Sequence, residues 1–277
     1  MSIKRIGSIS VDTDSLIDIF SAFHSEKISE NNLTYNVLLQ RFLDIFKKYD
    51  IKATFFIIGK NLEDDSNSKI LLKIINQGHE LANHTYSHPL NFSKLSMNEK
   101  KMEIEKCHNL VYTKLGYDMK GFRAPSWDVD NETLTILENM GYDYDSSIFP
   151  SPFKFIAYLF QIYKSRKIPL SNSLFQIKTL LTNFAPSKLY HPDHKHIWRK
   201  GSMNLLEVPM STTPIIKEPF YSTYYFILKS KPHFLTSLKK IYKADYPLNF
   251  ILHTMDLYDN KKDRVPQKLK NLHHGQK

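Results

Sequence analysis

Two short strings, Asp12-Thr13-Asp14 near the start of the chain and His84-Thr85-Tyr86-Ser87-His88 further on, carry the residue types of a metal site. One carboxylate and two imidazoles make a three-ligand set for zinc or a similar divalent ion. Three protein ligands leave a coordination position open for water, which marks catalytic rather than structural sites. A second carboxylate, two residues from the first, is available as a base. His84 and His88 are four apart, so within a helical turn both rings would face one way. Each string alone also has a plain reading: two polar loop histidines, and aspartates in a turn after a strand.

Other residues fit around such a centre. Arg123-Ala124-Pro125-Ser126-Trp127 offers a cation that would keep a base carboxylate ionised and oriented, and an aromatic ring that would form a sugar-facing wall. The competing reading is a surface loop with a packed Trp. His253 is suited to protonating a leaving amine, because imidazole titrates near neutrality. Asp145 is a candidate to orient and charge that histidine, with Asp256 as a competitor. Glu207 either faces the mouth of the site or points to solvent. His191, His194 and His196 form a second cluster whose Pro and Lys neighbours indicate a loop. An Asp-x-Asp string also occurs in nucleotide-sugar glycosyltransferases, but position 12 leaves no room for the nucleotide-binding region that precedes it there. The chain has no Gly-x-Ser-x-Gly elbow, P-loop or Gly-x-Gly-x-x-Gly string, so serine hydrolase, NTPase and dinucleotide readings have no local support.

The elements that must position these residues alternate. Strands are expected at Ile6–Val11, Ala53–Ile58, His79–Ala82 and Gly121–Arg123, with another beginning at Tyr142 and two late ones at Leu205–Val208 and Asn249–Leu252. Helices are expected at Leu33–Tyr49, Ser68–Gln77, Ser96–Leu115 and Asn131–Met140, the last three closed by Gly78, Gly116 and Gly141. Ser96 and Glu99 have the spacing of a capping box. About seven strands with helices between most of them imply a mainly parallel sheet or barrel. Asp12, Asp14, His84, His88, Arg123 and His253 all follow a predicted strand. In barrels of this kind the C-terminal strand ends gather on one face, so the separate strings are expected to converge.

The 277 residues are 42% hydrophobic and read as one domain, residues 1–277, with an insertion at about 149–203 and a polar tail at about 260–277. Net charge is +10, yet no nucleic-acid-binding motif accompanies it, and no nucleic-acid partner is expected. Between positions 154 and 200, Lys154, Lys164, Arg166, Lys167, Lys178, Lys188, Lys195, Arg199 and Lys200 face Asp193 alone, with aromatic and aliphatic residues interleaved. Such a segment suits an anionic membrane surface or a phosphate-bearing substrate, and equally a solvated basic insertion. Cys107, the lone cysteine, is expected to be a buried inert thiol. The first residues have no apolar run of signal-peptide type, so a cytoplasmic place, at the inner face of the membrane, is the expectation.

Taken together, these strings resemble the polysaccharide deacetylase (NodB-homology) family, carbohydrate esterase family 4, over roughly residues 6–148 and 204–256. The string His84 to His88 is the most specific part. Ala53-Thr54-Phe55-Phe56, Gly78 to His84, Arg123-Ala124-Pro125 and Leu252-His253 follow in the family's order. The resemblance implies a distorted (β/α)7 barrel and metal-dependent hydrolysis of an N-acyl group on a sugar. It implies Asp12 as base, Asp14, His84 and His88 as ligands of zinc (or cobalt, nickel or iron), Arg123 as the residue tuning Asp12, and His253 as general acid. Ser126 takes the position whose backbone N–H helps bind the oxyanion. The family's common Asp-Asp pair is Asp-Thr-Asp here, a variant that resembles branches acting on lipid-linked sugars and some peptidoglycan deacetylases. The expected substrate is an N-acylated amino sugar in a polysaccharide, peptidoglycan or lipid-linked precursor. The alternatives are a metal-independent amidohydrolase of cyclic ureides and a non-catalytic glycan-binding relative.

Overall fold

The computed structural model describes residues 7–15, 32–153, 181–259 and 261–263. Seven parallel strands form one sheet: β1 (Gly7–Asp12), β2 (Thr54–Ile57), β3 (Glu80–Asn83), β4 (Gly121–Phe122), β5 (Tyr144–Asp145), β6 (Leu206–Glu207) and β7 (Leu248–His253). Their spatial order is β6-β5-β4-β3-β2-β1-β7, so the two late strands lie at opposite edges. The sheet curls until those edges meet. Among the described residues no ladder closes the seam; the Asn249 side chain bridges it, donating to the carbonyls of Val208 and Pro209 at 3.2 Å each, while its backbone N–H donates to Ser211 Oγ at 2.6 Å. The result is the distorted (β/α)7 barrel that the resemblance implies.

Parallel strands require crossovers, and helices supply them. α1 (Leu39–Lys48) continues from a π-helical turn at Thr34–Leu38. It buries Leu39, Phe42, Leu43 and Phe46 against Phe55 and Ile57 of β2 and Leu81 of β3. α2 (Ser68–Asn76) adds Leu71 and Ile74 to that core. α3 (Met97–Leu115) begins with the expected capping box, Ser96 N–H donating to Glu99 Oε2 at 2.8 Å, and ends at Gly116 with φ 65°. α4 (Asn131–Asn139) packs Leu134, Ile136 and Leu137 with Ile104 and Phe122 in a second core. Burial has pushed the Cys107 thiol up to about 12, which leaves it inert at neutral pH.

Strand alternation decides which side chains enter the barrel. Ser8 and Ser10 of β1, Thr54 and Phe56 of β2, Tyr144 and Ser146 at β5, and Leu206 and Val208 at β6 line an interior cavity of about 260 Å³. Tyr144 crosses over Gly121, its register partner. A Cβ at Gly121 would lie 2.1 Å from the Tyr144 ring, so only glycine fits there.

The structure contains two helices that the sequence reading leaves out: α5 (Ser222–Leu228) and α6 (Lys231–Lys243), between β6 and β7. Of the predicted insertion at 149–203, residues 154–180 lie outside the described residues, and with them Lys154, Lys164, Arg166, Lys167 and Lys178. The described part has a clear role: Tyr190 pairs antiparallel with Glu207 and covers the outer edge of β6. In the predicted tail, residue 260 and residues 264–277 also lie outside the described residues.

Candidate active site

The convergence expected from the strand order is present. Asp12 ends β1, between Phe56 of β2 and His253 of β7 in the sheet register, while His84 and Arg123 directly follow β3 and β4. Thr13 explains why Asp-Thr-Asp works as a unit. Its backbone N–H and its hydroxyl both donate to the Phe56 carbonyl, at 3.1 and 2.9 Å. With residue 13 turned onto β2, residues 12 and 14 face the barrel mouth together. Thr254 Oγ1 holds the Asp14 carbonyl at 2.5 Å, so the turn that follows β7 pins the far end of the string.

The two carboxylates have different partners. Asp12 Oδ1 accepts from Arg123 Nη1, and Asp12 Oδ2 lies 3.8 Å from His253 Nε2. Arg123 is itself fully buried and fixed on every side. Its Nε donates to the Ser146 carbonyl at 3.1 Å, its Nη2 donates to the hydroxyls of Ser10 and Ser146 at 3.0 Å each, and its guanidinium lies 3.9 Å above the Phe56 ring. Asp14 Oδ1, by contrast, lies 3.4 Å from the Nε2 atoms of both His84 and His88. These are ion-pair distances without hydrogen-bond geometry, and this buried oxygen accepts no hydrogen bond.

His84 has its tautomer set by the backbone. Its Nδ1 is 2.6 Å from the Arg123 carbonyl, which can only accept, so Nδ1 carries the hydrogen and Nε2, which faces Asp14, is the nitrogen left for a metal. The sequence reading brings His84 and His88 together through a helical turn. The structure does so differently: the segment is an irregular loop with Thr85 at φ 64° and His88 at φ 56°. Asn83 holds it, accepting from Thr85 N–H at 2.8 Å and donating to the Ile104 carbonyl and to the Tyr142 hydroxyl, and Thr85 Oγ1 accepts from His88 N–H at 3.1 Å. A left-handed β-branched residue is strained, and such strain gathers at functional sites. Ser126 and Trp127, at φ 55° and 54°, form a second left-handed pair at the same mouth.

Asp14, His84 and His88 are the one group among the described residues whose donor atoms all lie within 4.8 Å of one another. The electrostatics match the needs of a cation. Burial pushes the Asp14 carboxyl up, but the imidazoles of His88 and His84 outweigh it and hold Asp14 well below the usual carboxylate range. Burial likewise pulls His84 down, and Asp14 and Asp12 outweigh it, so the net shift is upward. A buried anion with an oxygen lacking a hydrogen bond, beside two imidazole nitrogens that face it, fits a divalent ion.

Two predicted residues do not join this centre. Asp145 does not reach His253. Tyr144 and Ser146 point into the barrel, so Asp145 between them faces outward, where its carboxylate accepts from Ser147 Oγ at 2.5 Å and Ser147 N–H at 3.2 Å. The group beside His253 is Asp256, the competitor in the sequence, which accepts from the His253 backbone N–H at 2.8 Å. Glu207 faces neither the mouth nor solvent. It is wholly buried outside the barrel, paired in register with Asp145, and accepts from Ile148 N–H at 3.1 Å. Both still serve the site indirectly, because Ser147 Oγ accepts from Ala124 N–H at 2.7 Å and so fixes the loop that carries Ser126 and Trp127. His191, His194 and His196 are exposed and do not form a cluster of metal-ligand geometry.

Burial and the adjacent Asp145 carboxylate push Glu207 well above its ordinary value of 4.5, so the folded protein keeps a proton that the unfolded chain releases. The folded state then binds more protons, and stability falls as pH rises above about 4.5, by about 1.4 kcal/mol per pH unit until Glu207 ionises. Glu207→Gln removes that slope. Thermal melting should show the variant more stable than wild type at neutral pH, with the difference vanishing near pH 4.

The sequence reading also misses residues at the mouth. Thr223 Oγ1 lies 3.4 Å from His253 Nδ1. Trp127 packs edge-on to Phe149, Tyr221 and His253, with centroid distances of 5.5, 5.8 and 6.2 Å. Ser10 and Ser146 were findable from strand alternation. Tyr221 and Thr223 depend on α5, whose tyrosine-rich sequence carries no helical pattern.

Residues 32–144 match the family model for polysaccharide deacetylase. Over 89 residues, 32% of the chain, it is 38% identical to a peptidoglycan-N-acetylglucosamine deacetylase of Bacillus cereus, of which the match covers 31%. Over 149 residues, 52% of the chain, it is 30% identical to a peptidoglycan deacetylase of Helicobacter pylori, of which the match covers 49%. The chain thus spans about a third to a half of the length of these curated relatives. A crystal structure of a Mycobacterium smegmatis protein assigned to the polysaccharide deacetylases superposes over 93% of this chain and 81% of its own, with a TM-score of 0.63 at 16% identity, a likeness of fold. Over residues 32–144 the chain is thus similar to the polysaccharide deacetylases, and the barrel that carries this segment has their fold.

Proposed function

We propose that this protein is a metal-dependent hydrolase that removes an N-acyl group, acetyl or formyl, from an amino sugar of a polysaccharide, peptidoglycan or lipid-linked glycan precursor. The observation that carries this reading is the division of labour within Asp-Thr-Asp: Asp12 is paired to a permanent cation, and Asp14 to two imidazoles. Asp14, His84 and His88 would hold a divalent ion, for which zinc suits the donor set best. When bound, the ion supplies Lewis-acid polarisation of the amide carbonyl and acidifies a nearby water. Asp12 takes the proton of the attacking water at Oδ2, since Oδ1 is committed to Arg123. Attack converts the amide carbon to a tetrahedral centre, whose oxyanion the backbone N–H of the left-handed turn at Ser126 helps to hold. His253 Nε2 gives a proton to the departing nitrogen, which leaves as the free amine, and the acid is released. Trp127, braced edge-on by Phe149 and Tyr221, provides a ring surface for the sugar.

The relatives named as peptidoglycan deacetylases support N-acetylglucosamine polymers as the first substrates to try. The test is acetate release and appearance of free amine from N-acetylglucosamine oligomers and peptidoglycan fragments, with zinc-loaded protein before and after chelation. Turnover that chelation stops and zinc restores is the expected result. Turnover that survives chelation would overturn the metal dependence, and release from no acylated sugar would overturn the function.

A further inference from the structure

The α5–α6 hairpin has a composition unlike the rest of the chain. Between Glu218 and Asp245 there is no acidic residue, while Lys229, Lys231, Lys239, Lys240 and Lys243 add five positive charges. The inner side of the hairpin is well packed. Ser237 and Ile241 are buried, and Phe234 stacks on Phe220 at 4.7 Å and meets Phe250 at 5.9 Å. The outer side is not ordinary solvated helix. Phe226, Leu228, Leu235 and Tyr242 are 40, 41, 43 and 61% exposed, among exposed Lys231, Lys239, Lys240 and Lys243. On α3, Lys101 meets Glu105 one turn on at 3.4 Å, the usual balance of a solvated face. Nothing on α5–α6 offers that balance. No helix among the described residues is long and apolar enough to cross a membrane, so any lipid contact of this face is peripheral.

We propose that the outer face of α5–α6 docks on an anionic lipid bilayer. The lysines match the surface charge, and the exposed apolar side chains among them, Leu235 and Tyr242 on one face of α6 with Leu228 at the end of α5, enter the headgroup boundary. A purely anionic polymer would use the lysines and leave those apolar side chains in water, so the mixture favours lipid. The placement is apt: Tyr221, which precedes α5, packs on Trp127, and Thr223 lies beside His253, so the docking face begins at the rim of the candidate active site.

The test is co-sedimentation of the full chain with phosphatidylcholine vesicles, with and without phosphatidylglycerol. Wild type should bind the anionic vesicles and not the neutral ones. Leu228→Ser/Leu235→Ser, which leaves the charge unchanged, and Lys239→Glu/Lys243→Glu, which leaves the apolar side chains unchanged, should each weaken binding at least about tenfold. Both pairs lie on the surface, and circular dichroism confirms folding of each variant. Absence of wild-type binding to anionic vesicles at low salt overturns the proposal. So does vesicle binding that the serine pair leaves intact, which would mean adsorption by charge alone.

Discussion

Asp12→Asn should lower turnover by about 10²–10⁴-fold, the usual contribution of a positioned base, while the bound metal stays at the wild-type level. The two halves of this expectation have separate structural grounds. Asp12 lies outside the donor group formed by Asp14, His84 and His88. Its Oδ2 is the carboxylate oxygen at this mouth that is not bound to Arg123 and that lies 3.8 Å from His253 Nε2. Asparagine keeps the shape and an oxygen that accepts from Arg123, so the barrel should remain folded. What it loses is the capacity to take a proton. Turnover near the wild-type rate in the metal-loaded variant would remove Asp12 from the role of base.

Arg123→Met should have the largest effect on stability. It leaves the Asp12 carboxylate buried with no cation, and breaking a buried pair from one side costs about 3–5 kcal/mol. For a domain of this size that corresponds to a fall in Tm of roughly 6–20 °C. The cost is greater than that of one ion pair because Ser10 and Ser146 also lose their donor inside the barrel. Adding Asp12→Asn to Arg123→Met removes the orphaned charge, and the double variant should recover part of the lost Tm. A double variant less stable than Arg123→Met alone would show that the pair is not what holds the two residues in place. Activity should be lost in both, since Arg123 fixes the Asp12 carboxylate that the proposed mechanism uses as base.

Most of the site was legible because strand order carries it. Asp12, His84, Arg123 and His253 each stand at or directly after the end of a strand whose place the alternation of elements gives, and parallel strands align those ends. Asp145 and Glu207 went astray for a reason equally visible in the sequence. Both occupy the parity opposite to the barrel-lining Tyr144, Ser146, Leu206 and Val208, and alternation alone sends them outward. Their strands are only two residues long in the ladder, too short for the pattern to stand out. The loop from His84 to His88 was not legible, because its shape depends on Asn83 and on a left-handed Thr85, a conformation that local propensity disfavours. α6 carried a readable start in Ser230 and Pro232, with Phe234, Ser237 and Ile241 at helical spacing. α5, seven residues rich in tyrosine, has no such pattern, and with it went Thr223 and the neighbouring Tyr221.

The central claim is that Asp14, His84 and His88 form a metal centre, and metal content measures it most directly. Elemental mass spectrometry of the protein incubated with zinc and then freed of excess should find about one ion per chain in wild type, as a single three-ligand site requires. His84→Ala removes the imidazole that the Arg123 carbonyl orients, and should lose that ion while remaining folded. No bound metal in wild type, or an equal amount in His84→Ala, would contradict the assignment.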